Sequence, residues 1–243
     1  MLKIIMDENG DKYSTDDLIE ILKILRSPEG CPWDREQTSK SIRNDTLEEA
    51  YEVADAIDTD DNDALCEELG DLLLQVIFHS RIAEEAGAFD YTDVVDGICR
   101  KLILRHPHVF GKEKVESSDE VLDLWNAIKK EEKNQTSYTE TLKSVPRAFP
   151  ALMRSAKVQK RAFKAGFILD NPINSGLLEE KLNALKDAVA CDENIDTAYG
   201  EFLFAIAGLQ NHLGVNAEQA LACATDNFIS DFGKAEILGK LKG

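Results

Sequence analysis

Apolar side chains recur every three to four residues along most of the chain, as at Leu18, Ile21, Leu22 and Leu25 and again at Leu69, Leu72, Leu73, Val76 and Ile77. Spacing near 3.6 places such residues on one side of a helix, and the strict alternation expected of a half-buried strand is missing. The pattern predicts an all-α chain with helices over about 15–27, 37–57, 62–86, 91–106, 118–133, 146–165, 177–190, 195–213 and 217–232. The stretch 134–146 is polar, poor in apolar residues and ends in Pro146, so it reads as a linker between a first domain over 1–133 and a second over 147–243.

The two halves echo one another. Leu47-Glu48-Glu49 has a counterpart in Leu178-Glu179-Glu180, Gly70-Asp71-Leu72-Leu73-Leu74 in Gly200-Glu201-Phe202-Leu203-Phe204, and the segment Lys101 to His106 in the segment Asn227 to Phe232. A glycine inside a helix costs about 1 kcal/mol against alanine, so Gly70 and Gly200 are expected where a neighbour approaches closely. Chance similarity between leucine-rich helices is the alternative explanation of the repeat.

Composition narrows the function classes. The chain of 243 residues carries 28 basic and 46 acidic residues, a formal charge of -18 that repels nucleic-acid phosphates and anionic membranes, so duplex nucleic acid is not an expected partner. Cys31, Cys66, Cys99, Cys191 and Cys223 stand singly, without a C-x-x-C pair, which argues against zinc and structural disulfides and fits reducing cytoplasm. The apolar start at Met1 to Met6 is too short for a signal segment, and no apolar run reaches membrane-spanning length.

Charge patterning changes the picture most between Arg43 and Arg81. No lysine or arginine lies between them, yet twelve acids do: Asp45, Glu48, Glu49, Glu52, Asp55, Asp58, Asp60, Asp61, Asp63, Glu67, Glu68 and Asp71. A solvated helix face normally mixes signs, and like charges four apart destabilise it. Glu49 and Glu52 share one helical face, as do Glu68 and Asp71 on the next helix, and the turn at 58–63 folds the two antiparallel. Four carboxylates brought together this way offer an all-oxygen cage suited to Mg²⁺ or Mn²⁺. The competing explanation is a capping box, Thr46-x-x-Glu49, which would engage Glu49 at a helix start. Downstream, Lys101 and Arg105 place two cations on one helical face, an arrangement that suits phosphate oxygens or an ordinary solvated patch. Of the four histidines, His106 and His108 flank Pro107 and are expected to cap or pack, while His79 and His212 lie on apolar helices. None stands three after a glutamate, which argues against the E-x-x-H iron sites of helical bundles.

At Gly30-Cys31-Pro32-Trp33-Asp34, Leu47-Glu48-Glu49-x-x-Glu52, Glu67-Glu68-Leu69-Gly70-Asp71 and Arg105-His106-Pro107-His108-Val109-Phe110 the chain resembles the MazG family of nucleoside triphosphate pyrophosphohydrolases, over nearly its whole length. The resemblance implies an all-α bundle of two tandem related halves, usually a homodimer, with Mg²⁺ ligands at Glu49, Glu52, Glu68 and Asp71 and phosphate contacts at Lys101 and Arg105. It also implies Trp33 near the nucleotide, where its ring could stack on a base or fill the core. Hydrolysis would then release pyrophosphate and a nucleoside monophosphate, with Glu48 or Glu67 activating water, in housekeeping of the nucleotide pool.

The second half departs from that pattern, with Asn183 at the counterpart of Glu52, Thr197 and Ala198 at that of the Glu67-Glu68 pair, Glu201 at that of Asp71, and Asn227 and Asp231 at those of Lys101 and Arg105. The second site is therefore expected to be degenerate and the first to be active. A catalytically impaired nucleotide-binding regulator and a non-enzymatic helical adaptor remain as alternatives.

Overall fold

The computed structural model describes residues 12–113, 137–167 and 176–237, together with Ser117, Glu120, Val121, Leu124, Trp125 and Ile128. The chain divides into two compact units, Met1–Ile128 and Lys129–Gly243. Every regular element among the described residues is a helix. None is long and apolar enough to cross a membrane.

In the first unit, α1 (Thr15–Leu25) starts at Ser14, where a capping box pairs the Ser14 and Asp17 side chains with each other's backbone N–H. A short α2 (Pro32–Glu36) follows, then α3 (Arg43–Asp58), α4 (Asn62–Glu85), α5 (Tyr91–Arg105) and α6 (Pro107–Phe110). The helix expected from residue 37 begins only at Arg43. Upstream, Thr38 and Ser41 satisfy each other's backbone N–H through their hydroxyls, at 3.2 and 2.9 Å, and so offer the chain an alternative to the helix. Asp60 takes a left-handed conformation in the turn after α3, and the Asp61 carboxylate accepts from Asp63 and Ala64 N–H to start α4.

Leu22 of α1, Ile42, and Ile77 and Phe78 of α4 form the core, with Leu18, Leu25, Leu74, Ile82 and Tyr91 against it. Only part of the apolar periodicity of α4 is buried. Leu69, Leu73 and Val76 are exposed, because they lie on the side of the helix away from that core.

The helix expected over 118–133 falls largely outside the described residues. The stretch expected to be a linker contributes a helix of its own, α7 (Tyr138–Lys143), started by Ser137 accepting from Glu140 N–H, and Val145 just after it is fully buried. Its Ser137-x-x-Glu140 spacing is a helix-start signal inside a polar stretch. The second unit continues with α8 (Ala151–Lys164), α9 (Leu177–Cys191), α10 (Ile195–Leu213) and α11 (Ala217–Ile237). Small residues bring α8 and α10 together. Ala156 on α8 and Ala205, Ala207 and Gly208 on α10 are all buried, the Gln159 amide donates to Phe204 O at 2.7 Å, and a Cβ on Gly208 would collide with the Gln159 side chain.

Gly70 and Gly200 differ from the expectation. A Cβ at either position would meet nothing within 4 Å among the described residues, so no close approach explains them. The helical hairpins do resemble one another: α3 and α4 are joined through residues 59–61, α9 and α10 through 192–194, and both turns use left-handed residues, Asp60 in one and Asp192 and Asn194 in the other.

Candidate active site

The α3–α4 hairpin is closed at one end by its turn. Near the other end it is tied by Thr46 and His79, whose Oγ1 and Nε2 lie 3.0 Å apart. The Thr46 hydroxyl also lies 3.2 Å from Ile42 O, an acceptor in the preceding turn. Burial holds the His79 pKa below its ordinary value. This arrangement also settles the role of Thr46. The residue before α3 is Ile42, without a side-chain cap, and Thr46 lies inside the helix, so Glu49 is not engaged in a capping box.

Between these two ends, carboxylate oxygens of Glu49, Glu68 and Asp71 lie within 4.8 Å of one another. Glu49 and Glu68 are half-buried and Asp71 is exposed. Desolvation raises the pKa of Glu49, and the nearby charges of Asp71, Glu52 and Glu68 push it the same way. Glu68 is raised by desolvation first and then by the charges of Glu52, Glu67 and Asp71. Glu52 thus faces the same group from one turn along α3. Two oxygens held 2.0–2.6 Å from one hard cation stand at most about 5.2 Å apart, so this donor set is compact enough to share an ion. The charges that repel one another here are the ones a divalent cation would neutralise. Among the described residues this is the one such group of three.

The remaining predicted residues are not part of that group of three. Glu67 is exposed beside Glu68, and Glu48 lines a shallow open groove with Asn44, Leu47, Tyr51, Glu52 and Asp55. Exposed Lys101 and half-buried Arg105 lie one turn apart on α5, which packs against α4. Trp33 is 60% exposed on α2, which excludes the role of core plug.

The turn carrying Trp33 is strongly held. Gly30 is required there, since a Cβ would run into the carbonyls of Ile24 and Leu25. The Arg26 side chain, 5% exposed, donates from Nη2 to Glu85 at 2.7 Å and from Nη1 to Asp34 O and, at 3.2 Å, to Gln37 O. Its guanidinium also lies 5.3 Å from the Phe78 ring centroid. Sequence reasoning did not find Arg26 and Glu85, which lie 59 positions apart, or the link between Thr46 and His79, 33 apart; no local spacing marks either pair.

In the second unit, the counterparts of Glu49 and Asp71 are Glu180 and Glu201, and an ammonium stands between them. Lys181 Nζ lies 2.9 Å from Glu201 and 3.6 Å from Glu180, and the hydrogen bond to Glu201 raises the lysine pKa.

The MazG nucleotide pyrophosphohydrolase domain profile matches residues 37–110, a span that holds the whole carboxylate hairpin, Lys101 and Arg105 but not Trp33. The chain is 42% identical over 236 residues to the nucleoside triphosphate pyrophosphohydrolase of Escherichia coli, covering 94% of this chain and 89% of that protein. It is 40% identical over 226 residues to the nucleoside triphosphate pyrophosphohydrolase/pyrophosphatase MazG of Thermotoga maritima, covering 92% and 86%. To the Mycobacterium tuberculosis nucleoside triphosphate pyrophosphohydrolase it is 45% identical over 152 residues, covering 62% of this chain and 45% of that one. A domain profile lying across the carboxylate hairpin, and similarity that runs through both units to two relatives along most of their length, place the chain in the MazG nucleoside triphosphate pyrophosphohydrolase family.

Proposed function

We propose that this chain hydrolyses nucleoside triphosphates to a nucleoside monophosphate and pyrophosphate at the α3–α4 hairpin, in housekeeping of the nucleotide pool. The observation that carries the proposal is the convergence of Glu49, Glu68 and Asp71, with Glu52 facing them, in a segment without a lysine or arginine. These four side chains would hold Mg²⁺, with Mn²⁺ as a substitute, and the ion would supply electrostatic stabilisation of charge developing on phosphate oxygens. Lys101 and Arg105 bind the triphosphate, and Trp33, exposed on its braced turn, stacks on the base. Water attacks the α-phosphorus, the bond to the bridging oxygen breaks, and the proton of the water passes to Glu48 or Glu67. Domains over 1–133 and 147–243, joined through 134–146, divide the labour. In the second, Lys181 occupies the acids that remain, and Asn183, Thr197, Ala198, Asn227 and Asp231 leave neither a ligand set nor a phosphate site.

The exposed apolar side of α4 and α5 supports assembly as a homodimer. Five free cysteines suit the reducing cytoplasm.

The test is release of pyrophosphate, read by coupled phosphate detection over a panel of ribo- and deoxynucleoside triphosphates with Mg²⁺. Asp71→Ala or Glu52→Ala should abolish turnover with helicity retained. Lys101→Ala and Arg105→Ala should raise KM, lower kcat or both, and Asn183→Ala should leave the rate nearly unchanged. Wild-type turnover in Asp71→Ala would remove the reaction from this hairpin. Mg²⁺ and nucleotide binding without pyrophosphate release would make the protein a regulator instead.

A further inference from the structure

Gln75 is a polar side chain in an unfavourable place. It is only 8% exposed, and its carbonyl oxygen Oε1 has no hydrogen-bond partner among the described residues. A buried acceptor left without a donor is destabilising, and each one in a folded protein calls for an explanation, such as a catalytic role or a bound water or ion. Its position on α4 suggests that role. Asp71 lies four residues before it, Glu68 seven before and His79 four after, so all four share one face of the helix. That face meets α3 on both sides of Gln75, at Glu49 through the carboxylate group and at Thr46 through His79. Helical side chains lean toward the N-terminus and cover the preceding turn, and the residue one turn before Gln75 is Asp71, whereas His79 lies one turn after it.

We propose that Gln75 is a positioning residue of the carboxylate centre, its buried carbonyl kept to accept a hydrogen bond from a water molecule that enters the cluster together with the divalent cation. The inference rests on the assignment of that cluster as a metal site. Partners in this outer position orient what a metal binds and typically change its affinity ten- to a hundredfold when removed. The apo fold would then be less stable than an apolar side chain of the same shape allows, and the deficit would be recovered only on loading.

The experiment compares the metal-free full-length chain with Gln75→Met, Gln75→Glu and Glu68→Gln, by thermal melting and by calorimetric titration with MgCl₂ and MnCl₂ at constant ionic strength. Gln75→Met preserves length and removes the orphaned acceptor. It should melt roughly 2 °C or more above wild type without metal and bind Mg²⁺ about ten- to a hundredfold more weakly. Gln75→Glu, which keeps an acceptor oxygen, should bind at least as tightly as wild type. A Gln75→Met chain that melts lower or fails to fold without metal would mean that the amide serves the apo fold, and the proposal falls. Unchanged Mg²⁺ affinity in Gln75→Met, with Glu68→Gln weakened, removes the role of Gln75 and leaves the metal site standing. If the wild-type chain takes up neither ion, the metal site itself is wrong and the inference goes with it.

Discussion

Glu49 and Glu68 hold protons more tightly in the folded chain than their ordinary value of 4.5. Over the interval between that value and the raised one, the folded state binds more protons than the unfolded state, so their contribution to stability falls as pH rises through it and stays low at neutral pH. Replacing Glu68 by Gln removes one of the repelling charges at nearly constant volume. Glu68→Gln should therefore melt above wild type at pH 7 in the absence of metal, and the gap should narrow on acidification through the carboxylate range, as both side chains take up protons. A divalent cation at a hundred times its dissociation constant adds about 2.7 kcal/mol, or several degrees at roughly 2–4 °C per kcal/mol for a chain of this length. The variant should show a smaller Mg²⁺ response. Salt screening is controlled by replacing NaCl with MgCl₂ at fixed ionic strength, and identical responses would make the acidic face an ordinary solvated one.

Three helices meet at one side chain, Arg26. It ends α1, fastens the carbonyls at the end of α2, and pairs with Glu85 in the last turn of α4, which Arg81 also grips at 2.9 Å. The ion pair is enclosed on the arginine side and open on the other, with Glu85 32% exposed. Arg26→Met would leave a carboxylate short of its main partner and two carbonyls without a donor. Its expected cost is about 2–3 kcal/mol, at or below the roughly 3–5 kcal/mol of breaking a fully buried pair, because Glu85 keeps Arg81 and some water. Hydrogen bonding to Arg26, then the arginine charges, hold the Glu85 pKa down, so its stabilisation is present above 4.5 and lost as pH falls through the lower, folded value. Urea denaturation of wild type and Arg26→Met at pH 7 and pH 3 should show their difference shrinking at the acid end. Equal stabilities at pH 7 would reduce this contact to surface decoration.

Across the first unit, one side of α4 packs on α1 and α3 while the other presents Leu69, Leu73 and Val76, and α5, which also packs on α4, exposes Ile98 and Leu102. Single exposed apolar side chains are ordinary, but three at helical spacing on one side of α4, on a chain of charge -18, offer a second copy a place to associate without bringing charges together. The homodimer proposed above should therefore sediment as one species at micromolar concentration. Leu73→Lys, which sets a like charge on each copy at the contact, should shift it to monomer with helicity intact. A monomeric wild type, or a Leu73→Lys variant that stays dimeric, would assign this face another role.

Helix positions were readable along most of the described chain because each depends on residues three and four apart. The same rule places Glu49 with Glu52, and Glu68 with Asp71, on single faces, and the run of acids without bases marked the hairpin as a site for a cation. Short-range chemistry misled where it competes with the helix: Thr38 and Ser41 delay α3, Ser137 starts a helix inside a polar stretch, and Thr46 mimics a cap. Which faces meet was not readable. Spacing groups Leu69, Leu73 and Val76 on one side of α4 and Gln75 and His79 on another, but it does not say which side is covered. That outcome depends on contacts between residues far apart in the chain, such as Arg26 with Glu85 and Thr46 with His79, whose energies exist only once the helices have packed. Periodicity orders side chains around one helix axis; packing chooses among the faces, and with them which carboxylates lose water and which apolar residues keep it.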